Sequence, residues 1–332
     1  MTRNFRPWGL LTWLLPRLPS IEWSFLGGSS TEERSVAAWD ALRSYVTIHH
    51  KQIISVVDPP SRYSALTKER CKLIKQQLRL RGVASHEIKD LDLFGRIDEL
   101  VKLIELFKSS ATENVIFDIS ALPKRFFFPI LRLLIESQQF RNVLVTYTVP
   151  QSYAAGTLSE DPEPWRHIPL FAPPYPEKDV RLLIVALGFE PLALPDLLEA
   201  DYHGVSVKLL FPFPPGPPAF QRTWEFVRSI EDNLIQTARE PIRIDARDVS
   251  AAFDRIAAVT DNGKEHVAFG PYGPKTISLA ICIYAILRQC PVYYTQPRVY
   301  NPFYSSGVSI LSGMPETYCY SLRLDGRNLF AV

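Results

Sequence analysis

Two lysines stand directly after a proline at the start of an apolar-periodic stretch: Lys124 in Ser120-Ala121-Leu122-Pro123-Lys124 and Lys275 in Tyr272-Gly273-Pro274-Lys275. A strand that runs through a glycine or polar loop straight into a helix aims free backbone N–H groups and the positive end of the helix dipole at one place. Proline suits the first helical position, and a lysine beside it adds a full charge. The chemistry this predicts is capture of a phosphate or carboxylate. Ser120 and Arg125 enrich the first site; Tyr272, Thr276, Gly270 and Gly273 enrich the second. The plainer expectation is that Pro-Lys only begins two surface helices with solvated lysines.

Downstream of each Pro-Lys, a β-branched run ends in Tyr-Thr-x-Pro-x-x-Tyr, as Tyr147 to Tyr153 and as Tyr294 to Tyr300. Tyrosines leaving the carboxyl edge of a sheet can stack on a base or hydrogen-bond a ribose or phosphate, and Arg298 can pair with a phosphate. The bland alternative makes them corner residues that hold a proline turn. The predicted ligand-binding set also takes in Gly27, Gly28 and Gly188, which end the first strand of each half. Asp58, Asp118 and Asp245 fall near strand ends, where a carboxylate contacts ribose, serves as an acid or base, or caps a turn; Asp58 and Asp118 are the catalytic candidates.

Other chemistry lacks a pattern. Neither glycine turn forms a GxGxxG fingerprint or a P-loop, the histidines form no HExxH, and no GxSxG elbow occurs. The spacing therefore names no cofactor and no metal.

The elements that must position these residues alternate. Expected strands at 21–26, 52–57, 87–93, 114–118 and 142–148 are separated by expected helices at 34–45, 67–80, 97–107 and 123–137, and Ser30-Thr31-Glu32-Glu33 offers cap chemistry before the first helix. The second half repeats the alternation, with strands from 180–187, 205–211, 242–244, 266–269 and 292–295 and helices over 219–230, 250–259 and 276–288. Strands alternating with helices imply a parallel sheet covered on both faces. Landmarks recur in one order in both halves, which predicts an α/β chain of two tandem Rossmann-like domains from internal duplication. The expected division is an N-terminal apolar segment over 1–20, a first domain over 21–153, a proline-rich linker over 154–179, and a second domain over 180–332 closed by a β-hairpin.

Composition fits two globular units: 332 residues, 46% hydrophobic, 22% charged and net charge +2, a balance without a strong nucleic-acid signal. Cys71, Cys282, Cys290 and Cys319 form no CxxC pair, as expected of reduced thiols in the cytoplasm. The apolar stretch Trp8 to Leu15 is short and lacks a small-residue cleavage site, so it reads as a packing segment rather than a signal peptide, and no membrane span is expected.

At Asp118-Ile119-Ser120-Ala121-Leu122-Pro123-Lys124 and at Gly270-Pro271-Tyr272-Gly273-Pro274-Lys275-Thr276-Ile277-Ser278-Leu279-Ala280, the chain resembles the late strand-to-helix motif of CRISPR-associated Rossmann-fold (CARF) domains. The second copy is closer; the first has Leu122 where a small residue is expected, followed by Phe126, Phe127 and Phe128. The resemblance implies a cyclic-oligonucleotide sensor used in antiviral defence, with Lys124 and Lys275 as phosphate ligands and the effector on a separate chain. Two further expectations stand beside it: an enzyme acting on a nucleotide or nucleoside, with Asp58 or Asp118 as acid or base, and a scaffold that meets a protein partner through Trp8, Trp13 and the run Pro212 to Pro218.

Overall fold

The structure, a computed structural model, describes residues 5–17, 22–174, 179–188, 205–213, 225, 228 and 239–332. Most of the helix expected over 219–230 and of the proline-rich run 212–218 lies outside the described residues. The chain forms two compact units, one built from Met1–Glu160 with Arg298–Phe330 and the other from Asp161–Pro297 with Ala331–Val332. In chain order the strands of the two main sheets are β1 (Trp8–Leu10), β2 (Glu22–Ser29), β3 (Thr47–Val57), β4 (Ile88–Asp92), β5 (Asn114–Asp118), β6 (Asn142–Thr148), β7 (Leu182–Ala186), β8 (Ser206–Phe213), β9 (Arg239–Asp245), β10 (Val267–Pro271), β11 (Thr317–Leu324) and β12 (Arg327–Asn328). The helices that matter are α1 (Arg34–Leu42), α2 (Ser64–Leu80), α3 (Ile97–Ser110), α4 (Lys124–Glu136), α5 (Val249–Val259) and α6 (Lys275–Arg288).

The first unit carries a mostly parallel sheet in the order β1-β11-β6-β5-β2-β3-β4, with β12 pairing β11. Strands β2 to β6 run parallel, and only the partners of β11 are antiparallel. Strand β2, the first of this parallel set, lies in the middle between β3 and β5. Between such neighbours the chain turns to opposite sides of the sheet, and the crevice at their carboxyl ends is where open α/β folds bind ligands. Strand β5 is buried at every residue and packs Val115, Ile116 and Phe117 without exposure, the pattern of a strand covered on both faces. Helix α4 buries Phe126, Phe127, Phe128, Ile130, Leu131 and Leu134. The three phenylalanines that depart from the CARF pattern are therefore core.

The second unit carries a parallel sheet in the order β9-β8-β7-β10, again with the first strand between the second and the fourth. An isolated parallel bridge from Phe269 to Val292 continues the sheet past β10.

The boundaries differ from expectation at both ends. Strand β11, expected to close the second domain, pairs with β6 from Thr317↔Thr148 to Arg323↔Val143 and so belongs to the first unit. Segment 1–20 contributes an edge strand: Trp8 pairs with Tyr320 and stacks on its ring at 5.8 Å. Part of the expected linker is structured too. His167 pairs with Tyr293 in the second unit, and the Ala154 N–H donates to the Tyr304 carbonyl at 3.2 Å in the first.

Candidate functional site

Helix α4 after β5 and helix α6 after β10 both start at the expected lysine, but proline takes the N-cap position and lysine the first helical one. Pro123 and Pro274 are extended, and neither helix has a side-chain cap. The Pro123 carbonyl accepts from the N–H groups of Phe126 and Phe127, both at 3.0 Å. Lys124 and Lys275 thus sit where the dipole of each helix adds to a bound anion.

In the first unit, residues from three separate segments gather around one ring. Phe94 follows β4, Arg125 follows Lys124 at the start of α4, and Arg298 enters with the C-terminal segment; the guanidinium carbons of Arg125 and Arg298 lie 5.7 and 5.9 Å from the Phe94 ring centre. Each distance is within cation–π range. Lys124 is half-buried as a residue, and burial of its ammonium pulls the pKa down to about 7. Asp58, just past β3, has its carboxyl pushed up to about 6 by burial. Lys124 and Asp58, each shifted by its own burial, follow strands of the same sheet, and shifted titratable groups are common at ligand and active sites.

The other predicted residues of this unit are turned inward. Ser120 is fully buried, its hydroxyl donating to Asp118 Oδ1 at 2.6 Å and accepting from the Thr148 N–H at 2.8 Å. Asp118 Oδ1 also accepts from Thr146 Oγ1 at 3.0 Å, and Asp118 is 1% exposed. This carboxylate braces β5 against β6 and offers no face to a substrate. The glycines serve close packing. A Cβ on Gly28 would lie 2.6 Å from Leu122 Cγ, and one on Gly27 2.9 Å from the Phe25 ring. The loop before α4 therefore fills the crevice between β2 and β5. Tyr147 is buried, and its hydroxyl accepts from Arg34 Nη1 at 3.4 Å.

Ser30 to Glu33 does not cap α1. Glu33 is helical at the N-cap with no side-chain cap bond, and the Ser35 hydroxyl accepts from the Ser30 N–H at 3.2 Å. The Glu32 carboxylate instead meets buried Arg34, Nε to Oε2 at 2.9 Å. Nothing in the spacing marks Phe94, and Glu32 stands out only as part of the capping segment. The cue for Arg34 is a lone arginine inside the apolar-periodic start of a helix.

In the second unit the same edge is occupied by its own chain. A Cβ on Gly188 would stand 2.0 Å from the Tyr272 carbonyl oxygen, and one on Gly273 2.9 Å from the Leu187 oxygen, so the loops after β7 and β10 lie backbone against backbone. Tyr272 is buried, stacks on Trp165 at 6.1 Å, and shares a hydrogen bond with Thr295 Oγ1 at 3.1 Å. Tyr294 packs on Tyr272 at 5.5 Å, and the Thr276 hydroxyl donates to the Ala246 carbonyl. Asp245 holds a turn by accepting from the Arg247 N–H at 2.7 Å. Lys275 is half-buried at the first position of α6. Tyr300 falls in the first unit, where its ring meets Tyr304 at 6.2 Å; Tyr153, the end of the other motif copy, meets the same ring at 5.9 Å.

No protein-family model matches this chain, and no curated protein matches its sequence. Among the described residues no group of three or more His, Cys, Asp or Glu side chains could hold a metal ion. No described helix is long and apolar enough to cross a membrane.

Proposed function

We propose that this chain binds a nucleotide at the carboxyl edge of its first unit and acts as a sensor or regulatory protein. The observation that carries the reading is the convergence of Arg125 and Arg298 on the Phe94 ring beside Lys124 at the start of α4. Guanidinium groups and a helix-start lysine suit phosphates, an aromatic face past the end of β4 suits a base, and a carboxylate after the second parallel strand, Asp58, suits a ribose hydroxyl. The two sheets support a finer proposal. In each, the first parallel strand is central and a Pro-Lys helix follows the fourth, as expected of two Rossmann-like domains that arose by duplication. The CARF-like reading, with its place in antiviral defence and a separate effector chain, rests on the same two Pro-Lys segments.

Native mass spectrometry of freshly purified protein tests for a bound nucleotide, and calorimetry against mono-, di- and cyclic nucleotides tests for binding. Charge-assisted contacts contribute about 1.5 to 3 kcal/mol each, so Arg125→Ala or Arg298→Ala weakens binding about ten- to a hundredfold. Absence of binding to every nucleotide, or unchanged affinity in both variants, overturns the reading. Asp58 supports one alternative: its raised pKa suits an acid–base group in an enzyme acting on a nucleotide or nucleoside, which turnover lost in Asp58→Asn would establish.

A further inference from the structure

Helix α2 places its apolar residues on two faces. Ile74 and Leu78 are buried in the core with Phe25 and Ile53, as an amphipathic helix on a sheet requires. Leu66, Leu73 and Leu80 recur every seventh residue on another face, where Leu66 is half-buried and Leu73 and Leu80 are 52% and 78% exposed. Residues spaced by seven drift only about 20° per step around a helix, so the three leucines form one stripe about 21 Å long, roughly a third of a turn from the buried face. Leucines exposed singly are ordinary on a protein surface; a row of them at this spacing is the mark of a helix–helix seam.

The cations of the helix are divided in the same way. Arg70 Nη2 donates to the Thr31 carbonyl at 3.2 Å and Lys75 pairs with Asp90 at 2.5 Å, so both are tied to the body of the unit. Lys68, Lys72 and Arg79 are exposed and form no ion pair among the described residues. Lys72 and Arg79 each stand one position before a leucine of the row, which sets them together on one flank of it, while Gln77 lies on the other. An apolar row with a basic flank selects its occupant by charge. A nucleic-acid backbone gains nothing from leucines, and a membrane-surface helix presents an unbroken apolar face, whereas Glu69 and Gln76 lie between these leucines. A second copy of α2 would set Lys72 and Arg79 against each other in the antiparallel orientation and against Gln77 in the parallel one, so neither gains a charge pair.

We propose that the outer face of α2 docks an amphipathic helix of a partner protein, which lays leucine-like side chains along Leu66, Leu73 and Leu80 and acidic residues against Lys72 and Arg79. The proposal stands apart from the nucleotide reading at Phe94, since it concerns different residues.

Fluorescence anisotropy with the full chain and two labelled synthetic helical peptides tests it. Both peptides carry leucine along their seam; one has glutamate and the other lysine at the flanking positions, and like charges keep each from pairing with itself. The glutamate peptide should bind at least about tenfold more tightly than the lysine peptide, with the difference shrinking as salt is raised. Lys72→Glu with Arg79→Glu should reverse that preference. Leu73→Gln with Leu80→Gln removes two leucines from the seam and should weaken the glutamate peptide at least about tenfold. All four side chains are exposed, so each variant should keep the melting temperature of the parent, and a preference that reverses on an intact fold cannot come from unfolding. Vesicles rich in phosphatidylserine supply the rival anionic surface, and binding to them without binding to the glutamate peptide overturns the proposal in favour of a membrane. Failure to bind the glutamate peptide, equal affinity for both peptides, or affinity indifferent to either pair of substitutions overturns it as well.

Discussion

Lys124 and Asp58 are the side chains whose ionisation the fold perturbs at the proposed site, and each carries a pH signature. Burial leaves the Lys124 amine half protonated near pH 7, and a phosphate bound beside it favours the charged form. Binding should therefore take up a proton above pH 7, with affinity falling as pH rises from 7 to 9. Calorimetry at pH 8.5 in buffers of different ionisation enthalpy checks this, and a heat independent of buffer rejects it. Because its unprotonated fraction at neutral pH exceeds that of an ordinary lysine, Lys124 should also be acylated early by amine reagents. For Asp58 the folded pKa, about 6, lies above the ordinary value of 3.8. The folded state then binds more protons than the unfolded between those values, and stability falls as pH rises through that window. Asp58→Asn should raise the melting temperature at pH 8 and leave it unchanged at pH 3, where both states are protonated.

Helix α4 shows how the elements hold the site residues in place. Its C-terminal end is closed by Arg323 of β11, whose guanidinium donates to the carbonyls of Ile135 at 2.5 Å, Ser137 at 2.6 Å and Phe140 at 2.9 Å, while Nε donates to Asn328 Oδ1 at 2.8 Å. The helix that presents Lys124 at one end is thus tied at the other to the last long strand. Arg323→Met keeps the stem and removes these donors, leaving buried carbonyls unpaired, and should cost about 3 kcal/mol by denaturant unfolding. Gly188→Ala puts a methyl where only 2.0 Å separates it from the Tyr272 oxygen, so backbone must move. That variant should destabilise the second unit, read as faster amide exchange in β7 and β10.

Much at this scale was legible in the chain. Strands β5 and β6 begin and end where the apolar runs predict, because fully buried parallel strands are short continuous apolar blocks with polar ends. The Pro-Lys pairs marked two helix starts for the same local reason. The ligand residues were less legible. A glycine or tyrosine at a sheet edge is compatible with contact to a ligand or with close packing, and only tertiary neighbours decide: Leu122 over Gly28, Tyr272 over Gly188, Trp165 against Tyr272. Phe94 carries no periodic mark because its partners, Arg125 and Arg298, come from distant segments.

Long-range pairing also sets how the whole molecule divides. Local patterns place β11 with the second half it follows in sequence, whereas its residues pair with β6, and Thr317 Oγ1 shares a hydrogen bond with Thr148 Oγ1 at 2.9 Å. Such pairing between segments so far apart in sequence has no local signature, since a buried strand fits any sheet edge of matching apolar face. It has a consequence for folding: the first unit lacks an interior strand of its sheet until residues 317–324 are made. Strand β11 lies between β6 and β1, so losing it also strips β1 of its partner and exposes the edge of β6. A chain ended before Thr317 should lose protection in β5 and β6 and unfold its first unit at lower denaturant, while β7, β8 and β10 keep native amide exchange. Adding a peptide of residues 317–332 to the shortened chain should restore protection of β6 in proportion to occupancy. Loss of protection in the second sheet to the same extent as in the first would show instead that the two units unfold as one.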